Sequence, residues 1–357
     1  MKMMLVSGAK TEFDGRTKAL IHIFSEIADL SVLSPSKDES GISDPENGYY
    51  RFLKGVLAAA KKEAVPDVLI LDNRKATIPG LILRRRFRPK CTVYDARELY
   101  FMRESDSLSG KIGCFFEKRM IERADIVICA GRERKEIMEK EYRLKSDIMV
   151  FENFRSLKYS SEDAGRLSES KYRDMFGGDE FRIVSSAGCE LDRGTMELVA
   201  AMEKLTFRAE LLLVGCRQDD EQKKVEEYIA GHGIENVTLL PRVNQDELKY
   251  IISNCHVGIS VYHKRNLNNL YCSSGKVYEY VYEGIPVAAS DNPPLKHLID
   301  RYRIGACGQD IAEAIEEVKA RYGEYKDNVA KFVKSEIVER GQAEFRKNIK
   351  EKIGEFI

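Results

Sequence analysis

The chain alternates short apolar runs with longer segments in which apolar residues recur at helical spacing. Six apolar runs lie in the first half, at residues 3–8, 28–34, 66–72, 91–96, 124–130 and 148–154. Segments of helical spacing, such as 17–28 and 115–123, lie between them. This alternation is typical of βαβ units around a parallel sheet. We therefore expect a doubly wound α/β domain in the first half.

The same alternation restarts after a polar stretch. Residues 161–178 are rich in Ser, Glu, Asp and Gly, which predicts a linker. Five further apolar runs follow, at 181–188, 209–215, 237–243, 256–262 and 285–291, with no strand expected after residue 322. The predicted organisation is an N-terminal domain 1–160, a linker 161–178, a C-terminal domain 179–335 and a terminal helix 336–357 that packs back on the first domain.

Length and composition narrow the classes of protein. A chain of 357 residues exceeds what one hydrophobic core usually supports, which agrees with two domains. The chain has 58 Lys and Arg residues and 58 Asp and Glu residues, so it lacks the excess of basic residues expected of a nucleic-acid binder. The eight cysteines form no CxxC pair, and no apolar run approaches the roughly 18 residues of a spanning helix. We expect a cytoplasmic protein with reduced thiols.

The candidate chemistry centres on residues 273–283. Ser273, Ser274 and Gly275 precede a helical run and would offer a hydroxyl cap and backbone amides to an anion. Lys276 and Glu279 lie three apart, hence on one face of that helix, where they suit a phosphate and a pair of sugar hydroxyls. The alternative interpretation is an amphipathic helix with an ordinary cap and an ion pair.

The string SSGKVYEYVYEGIPVAASD, residues 273–291, resembles the donor-binding helix and following strand of the retaining GT-B glycosyltransferases of family four. The resemblance implies two Rossmann-like domains that face each other across a cleft. It also implies a nucleotide diphosphate sugar as donor, with a UDP-sugar favoured over a GDP-sugar, and a role for Glu279 at the ribose hydroxyls. No cofactor is expected, and the five histidines show no metal-ligand spacing.

The resemblance covers the rest of the second half. Residues 187–202 are similar to the family's glycine turn and phosphate-binding helix, which implies that Gly188 shapes the turn and Arg193 contacts the diphosphate. Residues 240–262 are similar to the segment beside the nucleobase, which implies contacts from Arg242 and Val243. Two positions differ from many family members: Cys189 stands where an Arg is common, and Tyr271 where a Glu is common.

Two segments of the first half resemble the family's acceptor side. Residues 93–104 are similar to a strand and loop of the form Tyr-Asp-x-His-Glu, and Arg97 occupies the His position between Asp95 and Glu98. Arg97 would act electrostatically or bind the acceptor, and Asp95 or Glu98 would accept a hydroxyl proton. Gly8 and Gly15, in the loop 7–16, would approach the donor. The alternatives are an ordinary charged loop and ordinary turn glycines.

Residues 74–90 hold seven basic residues, no acidic residue and interleaved apolar ones. Such a segment suits anionic lipid headgroups at the inner face of the cell membrane, close to a lipid-linked saccharide acceptor. A solvated helix face is the alternative. The residues assigned to this contact are Arg84, Arg85, Arg86, Arg88 and Lys90.

The sequence thus predicts transfer of a sugar from a nucleotide diphosphate sugar to a saccharide hydroxyl, in the assembly of a cell-surface glycan. Retention of configuration is implied by the resemblance. Cys189 and Tyr271 keep open a catalytically silent subunit that assists a partner transferase. A sugar-nucleotide epimerase is a further alternative, since that activity occurs on the same fold.

Overall fold

The structure is a computed structural model that describes residues 1–11, 14–35, 41–154 and 157–357. The chain forms two compact units. Unit 1 comprises Met1–Asn153 and Val338–Ile357, and unit 2 comprises Phe154–Ile337. Each unit is an α/β layer structure built on one parallel sheet.

Unit 1 contains six parallel strands in the order β2-β1-β3-β4-β5-β6. The strands are β1 (Lys2–Ser7), β2 (Asp29–Leu33), β3 (Val68–Asp72), β4 (Cys91–Ala96), β5 (Ile126–Cys129) and β6 (Met149–Val150). The helices between them are α1 (Gly15–Ser25), α2 (Tyr49–Ala59), α3 (Thr77–Phe87), α4 (Leu108–Ile121) and α5 (Arg132–Glu141). Every residue of β3 is buried, as expected of a central strand covered on both faces.

Unit 2 contains the second six-stranded parallel sheet, in the order β12-β11-β10-β7-β8-β9. Its strands are β7 (Phe181–Ser185), β8 (Ala209–Cys216), β9 (Val237–Pro241), β10 (Val257–Ser260), β11 (Val287–Ser290) and β12 (Gly305–Gly308). Its helices are α6 (Glu162–Tyr172), α7 (Thr195–Ala201), α8 (Asp220–His232), α9 (Gln245–Ser253), α10 (Leu267–Leu270), α11 (Gly275–Tyr282), α12 (Pro293–Tyr302), α13 (Ile311–Ala320) and α14 (Tyr322–Lys334).

The predicted fold class of two doubly wound parallel sheets is confirmed, and the eleven expected apolar runs all contain strands. The sequence missed β12, which pairs with β11 at the edge of its sheet. Its sequence, GACG, has no branched or aromatic residue. Gly305 is required there because a Cβ would collide with the backbone of Val287. Close backbone approach, rather than side-chain packing, therefore defines this strand.

The stretch 161–178 contains helix α6 and belongs to unit 2. Helix α6 lies against α9. The Ser160 backbone N–H and hydroxyl donate to the Asp246 carboxylate at 2.6 and 2.9 Å, and Lys171 pairs with Glu247 at 2.6 Å. These polar contacts fix the entry into unit 2.

The chain ends in helix α15 (Ile337–Gly354), most of which belongs to unit 1. Phe345 of α15 stacks on Phe151 with ring centroids 4.5 Å apart, and Arg346 pairs with Glu26. Within the described ranges, no helix combines the length and apolar character needed to cross a membrane.

Candidate functional site

A glycine turn joins β7 to α7 in unit 2. Gly188 has φ +60°, and a Cβ at this position would lie 2.6 Å from the carbonyl carbon of Gly215, at the end of β8. Gly194, with φ +66°, directly precedes α7. Both conformations favour glycine, because side chains strain the left-handed region. The turn backbone therefore packs directly on the neighbouring strand β8.

Arg193 is held on the outer side of this turn. Its guanidinium lies over the Tyr262 ring, 4.4 Å from the centroid, and its Nη1 donates to Asn269 Oδ1 at 3.1 Å. Glu190 lies 3.8 Å from its Nε. About a third of the Arg193 side chain is exposed (31%). Tyr262 and Asn269 follow β10, so they bring the turn after β7 together with the chain after β10.

Helix α11 begins beside the same strand ends. The hydroxyl cap predicted for Ser274 is wrong, because its side chain makes no cap hydrogen bond. Its Oγ lies instead 3.0 Å from Oγ of Ser260, the last residue of β10. The helix therefore starts without a side-chain cap from Ser274, and its positive dipole end lies beside the carboxyl end of β10. Gly275, the first residue of the helix, is buried.

Lys276 and Glu279 occupy the first turns of α11. Glu279 is buried, and Lys276 is partly exposed. Tyr280, also in α11, connects this helix to the glycine turn. Its hydroxyl accepts a hydrogen bond from the Ser186 backbone N–H at 3.0 Å and lies 3.0 Å from Ser186 Oγ. Gly258 of β10 makes room for the Tyr280 ring, since a Cβ there would overlap it.

Tyr280 thus fixes α11 against the turn after β7. No sequence motif marks Tyr280, which looks like an ordinary tyrosine on the apolar side of the predicted helix. Asn269, the partner of Arg193, was also missed, because a short helix of four residues positions it.

Arg242 and Val243 lie in the loop between β9 and α9. Arg242 is exposed and Val243 is half-buried. Strand β9 stands at the edge of the sheet, with β8 between it and β7. Both residues therefore follow a strand end on the same edge of the sheet as the glycine turn, two strands away from it.

In unit 1, a cluster of buried charges lies at the carboxyl ends of β1, β3 and β4. Asp72, the last residue of β3, accepts hydrogen bonds from Ser7 Oγ at 2.7 Å, Thr17 Oγ1 at 2.6 Å and Arg97 Nη2 at 2.7 Å. Burial raises the pKa of Asp72, and the charge of Arg97 opposes the rise. Asp72 was not among the predicted site residues, although it ends the apolar run 66–72 in the sequence.

Asp95 and Arg97 are the centre of the predicted acceptor loop. Asp95 is fully buried, and both its oxygens accept from Arg16, at 2.7 Å from Nε and 2.6 Å from Nη2. Arg97 pairs with Asp14 at 2.7 Å as well as with Asp72. Burial alone would lower the pKa of Arg97, but the surrounding carboxylates outweigh it and raise the pKa. The guanidinium stays charged.

Glu98, the third residue of that loop, is exposed, and its carboxylate accepts a hydrogen bond from the Tyr100 hydroxyl. The structure thus brings Asp95 and Arg97 into one cluster and leaves Glu98 at the surface. The loop carries one carboxylate that is fully engaged by an arginine and one that reaches solvent.

Of the two glycines predicted in the loop 7–16, Gly8 directly follows β1. A Cβ on Gly8 would lie 2.5 Å from Lys75 Cβ, so the loop passes close to the chain after β3. Gly15 is the first residue of α1, which Asp14 caps by accepting from the Thr17 N–H at 2.8 Å. Residues 12 and 13 of this loop lie outside the described residues.

The basic segment 74–90 spans α3, and five of its basic residues lie at or just after the end of that helix. Four arginines, Arg84, Arg85, Arg88 and Arg123, line a cavity of about 860 Å³ together with Leu81, Ile82 and Pro89. Arg84 Nε donates to Thr92 Oγ1 at 3.2 Å. In the part of the chain that the structure describes, no group of His, Cys, Asp and Glu is arranged to hold a metal ion.

No family model and no curated protein matches the chain. Solved structures do. Sucrose-phosphate synthase from Thermosynechococcus elongatus superposes with a TM-score of 0.73 at 18% identity, covering 99% of this chain and 98% of that one. The chain has the GT-B fold.

Two further solved structures share this fold. Anabaena HepE in complex with UDP-glucose has a TM-score of 0.69 at 14% identity, over 99% of this chain and 98% of that one. WaaG, a glycosyltransferase involved in lipopolysaccharide biosynthesis, has a TM-score of 0.70 at 14% identity, over 97% and 99%. At these identities the likeness establishes the GT-B fold, and the chemistry depends on the residues of the site.

Proposed function

We propose that this protein transfers a glycosyl group from a nucleotide diphosphate sugar to a saccharide hydroxyl, with retention of configuration. The observation that carries the proposal is the convergence of the glycine turn, Arg193 and the start of α11 at the carboxyl ends of β7 and β10. The strand order reverses between these two strands, and open α/β sheets bind ligands at such a switch point.

The diphosphate is assigned to the positive groups of this site. Gly188 lets the turn backbone approach the phosphates, Arg193 offers a planar fork of donors, and the α11 terminus adds its dipole through Ser274 and Gly275. Stabilisation of the leaving diphosphate by such fixed positive groups lowers the barrier to glycosyl transfer. A metal ion is not required in this arrangement.

The nucleoside is assigned to Glu279, Arg242 and Val243. The Glu279 carboxylate accepts from the ribose hydroxyls, while the β9 loop that holds Arg242 and Val243 contacts the base. The HepE complex with UDP-glucose supports a UDP-sugar as donor. WaaG's part in lipopolysaccharide biosynthesis supports a saccharide acceptor in a cell-surface glycan.

The acceptor is assigned to the loop after β4. Because Arg16 engages both oxygens of Asp95, we give Asp95 the task of holding the loop, and Glu98 that of contacting the acceptor hydroxyl. Arg97 keeps its charge in its pairs with Asp14 and Asp72, and it is assigned to acceptor binding at the same strand end. Gly8 and Gly15 let the loop after β1 approach the donor.

The basic end of α3 is assigned to an anionic lipid surface at the cytoplasmic face of the membrane. Arg84, Arg85, Arg86, Arg88 and Lys90 lie at and just after the C-terminal end of α3, beside Arg123. Ile82 of the same helix end is 42% exposed, so cations are combined with an exposed apolar side chain, as in interfacial segments.

Cosedimentation with vesicles tests this surface. Wild type should bind phosphatidylglycerol vesicles and ignore phosphatidylcholine vesicles, and Arg85→Glu combined with Arg88→Glu should abolish the binding. Lys61→Glu, an equal kind of charge reversal on an exposed lysine of unit 1, should retain most of it. Equal binding by all three proteins would remove the arginines from a membrane role.

Lys276 tests the donor site. We expect Lys276→Ala to lower turnover of the true donor at least about tenfold, because a charge lost from a phosphate contact is worth at least about 1.4 kcal/mol in the transition state. Lys223→Ala, which removes an exposed lysine of α8, is the matched control and should keep wild-type turnover. Wild-type turnover by a folded Lys276→Ala protein would exclude Lys276 from the site.

A further inference from the structure

Two cysteines lie side by side at the glycine turn. Cys189 follows Gly188, and Cys216 follows Gly215 at the end of β8. Their sulfur atoms are 3.2 Å apart, and both side chains are buried. The backbones of the two preceding glycines are also in close contact, since a Cβ added to Gly188 would lie only 2.6 Å from the carbonyl of Gly215.

This arrangement is close to that of a disulfide. A disulfide bond is about 2.05 Å long, so the two sulfurs need to approach by roughly 1.2 Å. Both thiols are free in the structure. The hydrogen bond between the two sulfurs lowers the pKa of Cys216 and so favours its thiolate, the form that reacts with oxidants.

We propose that Cys189 and Cys216 form a reversible disulfide on oxidation and that this bond weakens binding at the glycine turn. The first part stands on the sulfur geometry, and the second rests on the proposed donor site. With hydrogen peroxide, the Cys216 thiolate attacks one oxygen and becomes a sulfenic acid, and the other oxygen leaves as water. The Cys189 sulfur then displaces the second water, so two thiols and one peroxide give one disulfide and two waters.

The turn has little freedom to absorb such a pull. Thr195 Oγ1 donates to the carbonyls of Gly188 at 3.3 Å and Glu190 at 2.8 Å, which ties the turn to the start of α7. Cys189 lies between those two carbonyls. Movement of Cys189 towards β8 therefore displaces the backbone that is assigned to the diphosphate, and Arg193 follows four residues later.

The experiment maps the thiols and measures nucleotide binding on the same samples. The full chain is treated with hydrogen peroxide, and the remaining thiols are alkylated and identified by peptide mass spectrometry. We expect a Cys189–Cys216 linked peptide that dithiothreitol removes. Binding of UDP and GDP by calorimetry should weaken at least about fivefold on oxidation and recover on reduction.

Three variants make the outcome specific. Cys189→Ser and Cys216→Ala should lose the peroxide effect, while Cys255→Ser, which changes another buried cysteine of unit 2, should keep it. Free thiols at Cys189 and Cys216 after oxidation of wild type would overturn the proposal without any variant. A disulfide that forms and leaves nucleotide affinity unchanged would overturn its effect on the turn.

Failure of the proposed function has a different signature. A reduced protein that binds neither UDP nor GDP contradicts the donor site, whereas the peptide map still decides whether the disulfide forms.

Discussion

Replacing Arg97 with methionine leaves the buried carboxylate of Asp72 without its positive partner. In the wild type, Arg97 Nη2 donates to Asp72 at 2.7 Å, and Asp72 is fully buried. Methionine retains most of the length and apolar volume of the arginine stem. Breaking a buried ion pair from one side costs about 3–5 kcal/mol, because the remaining charge has lost its compensation. We expect a loss of that size at pH 8.

The cost of Arg97→Met should increase with pH. Burial already raises the pKa of Asp72, and loss of Arg97 raises it further. A carboxyl whose folded pKa is raised stabilises the fold at low pH and loses that contribution as pH rises through the folded pKa. The free energy of unfolding of Arg97→Met should therefore fall more than that of wild type as pH rises, by up to about 1.4 kcal/mol per pH unit between the folded pKa of Asp72 in wild type and its higher value in the variant.

The effect is measured by urea unfolding. Circular dichroism is the signal, because the chain contains no tryptophan whose fluorescence could be followed. Hydrogen exchange on peptides from β3 and β4 assigns the transition to unit 1. Arg97→Met combined with Asp72→Asn should recover most of the loss, because an amide still accepts from Ser7 and Thr17. A cost below about 1 kcal/mol at pH 8, or a cost that does not shrink at any lower pH at which the protein is folded, would contradict the role of the buried charge.

Further predictions concern a second buried carboxyl and one close packing contact. Glu117 is buried with its Oε1 accepting from Tyr94, and burial raises its pKa to about 7. Wild-type stability should fall as pH rises from about 4.5 to 7, between the ordinary pKa of a glutamate and the raised pKa of Glu117, and Glu117→Gln should flatten that decline in thermal-unfolding scans; an unchanged slope contradicts the assignment. Gly258→Ala should cost about 2 kcal/mol, because its methyl overlaps the Tyr280 ring. Gly231→Ala, in open space within α8, is the control and should be neutral or stabilising, so equal losses would contradict the packing argument.

The sequence predicted most of the fold because strand and helix periods are local properties. Apolar runs marked eleven strands, whereas β12 escaped because its small residues serve backbone approach to Val287. The turn that holds Gly188 and Arg193 and the helix that holds Lys276 were also predictable as structural elements, since they lie in strings that resemble a known pattern.

The supporting residues of the site were not predictable from the sequence. Tyr280 looks like any core residue of a helix until its hydroxyl is seen on Ser186, which is 94 positions away. Asp95 and Arg16 are 79 positions apart, and no local pattern announces their pairing. Sequence motifs identify candidate contacts with ligands, but the polar groups that position those contacts are chosen by the fold.

Glycosyl transfer from a nucleotide diphosphate sugar can be measured by incubating the protein with a panel of UDP- and GDP-sugars and saccharide acceptors. Release of nucleoside diphosphate is quantified together with the mass of the extended acceptor, and the anomeric signal of the product is recorded by NMR. We expect one donor to yield a glycosylated product with the donor's anomeric configuration. A purified, folded protein that neither binds any nucleotide diphosphate nor extends any acceptor would contradict it.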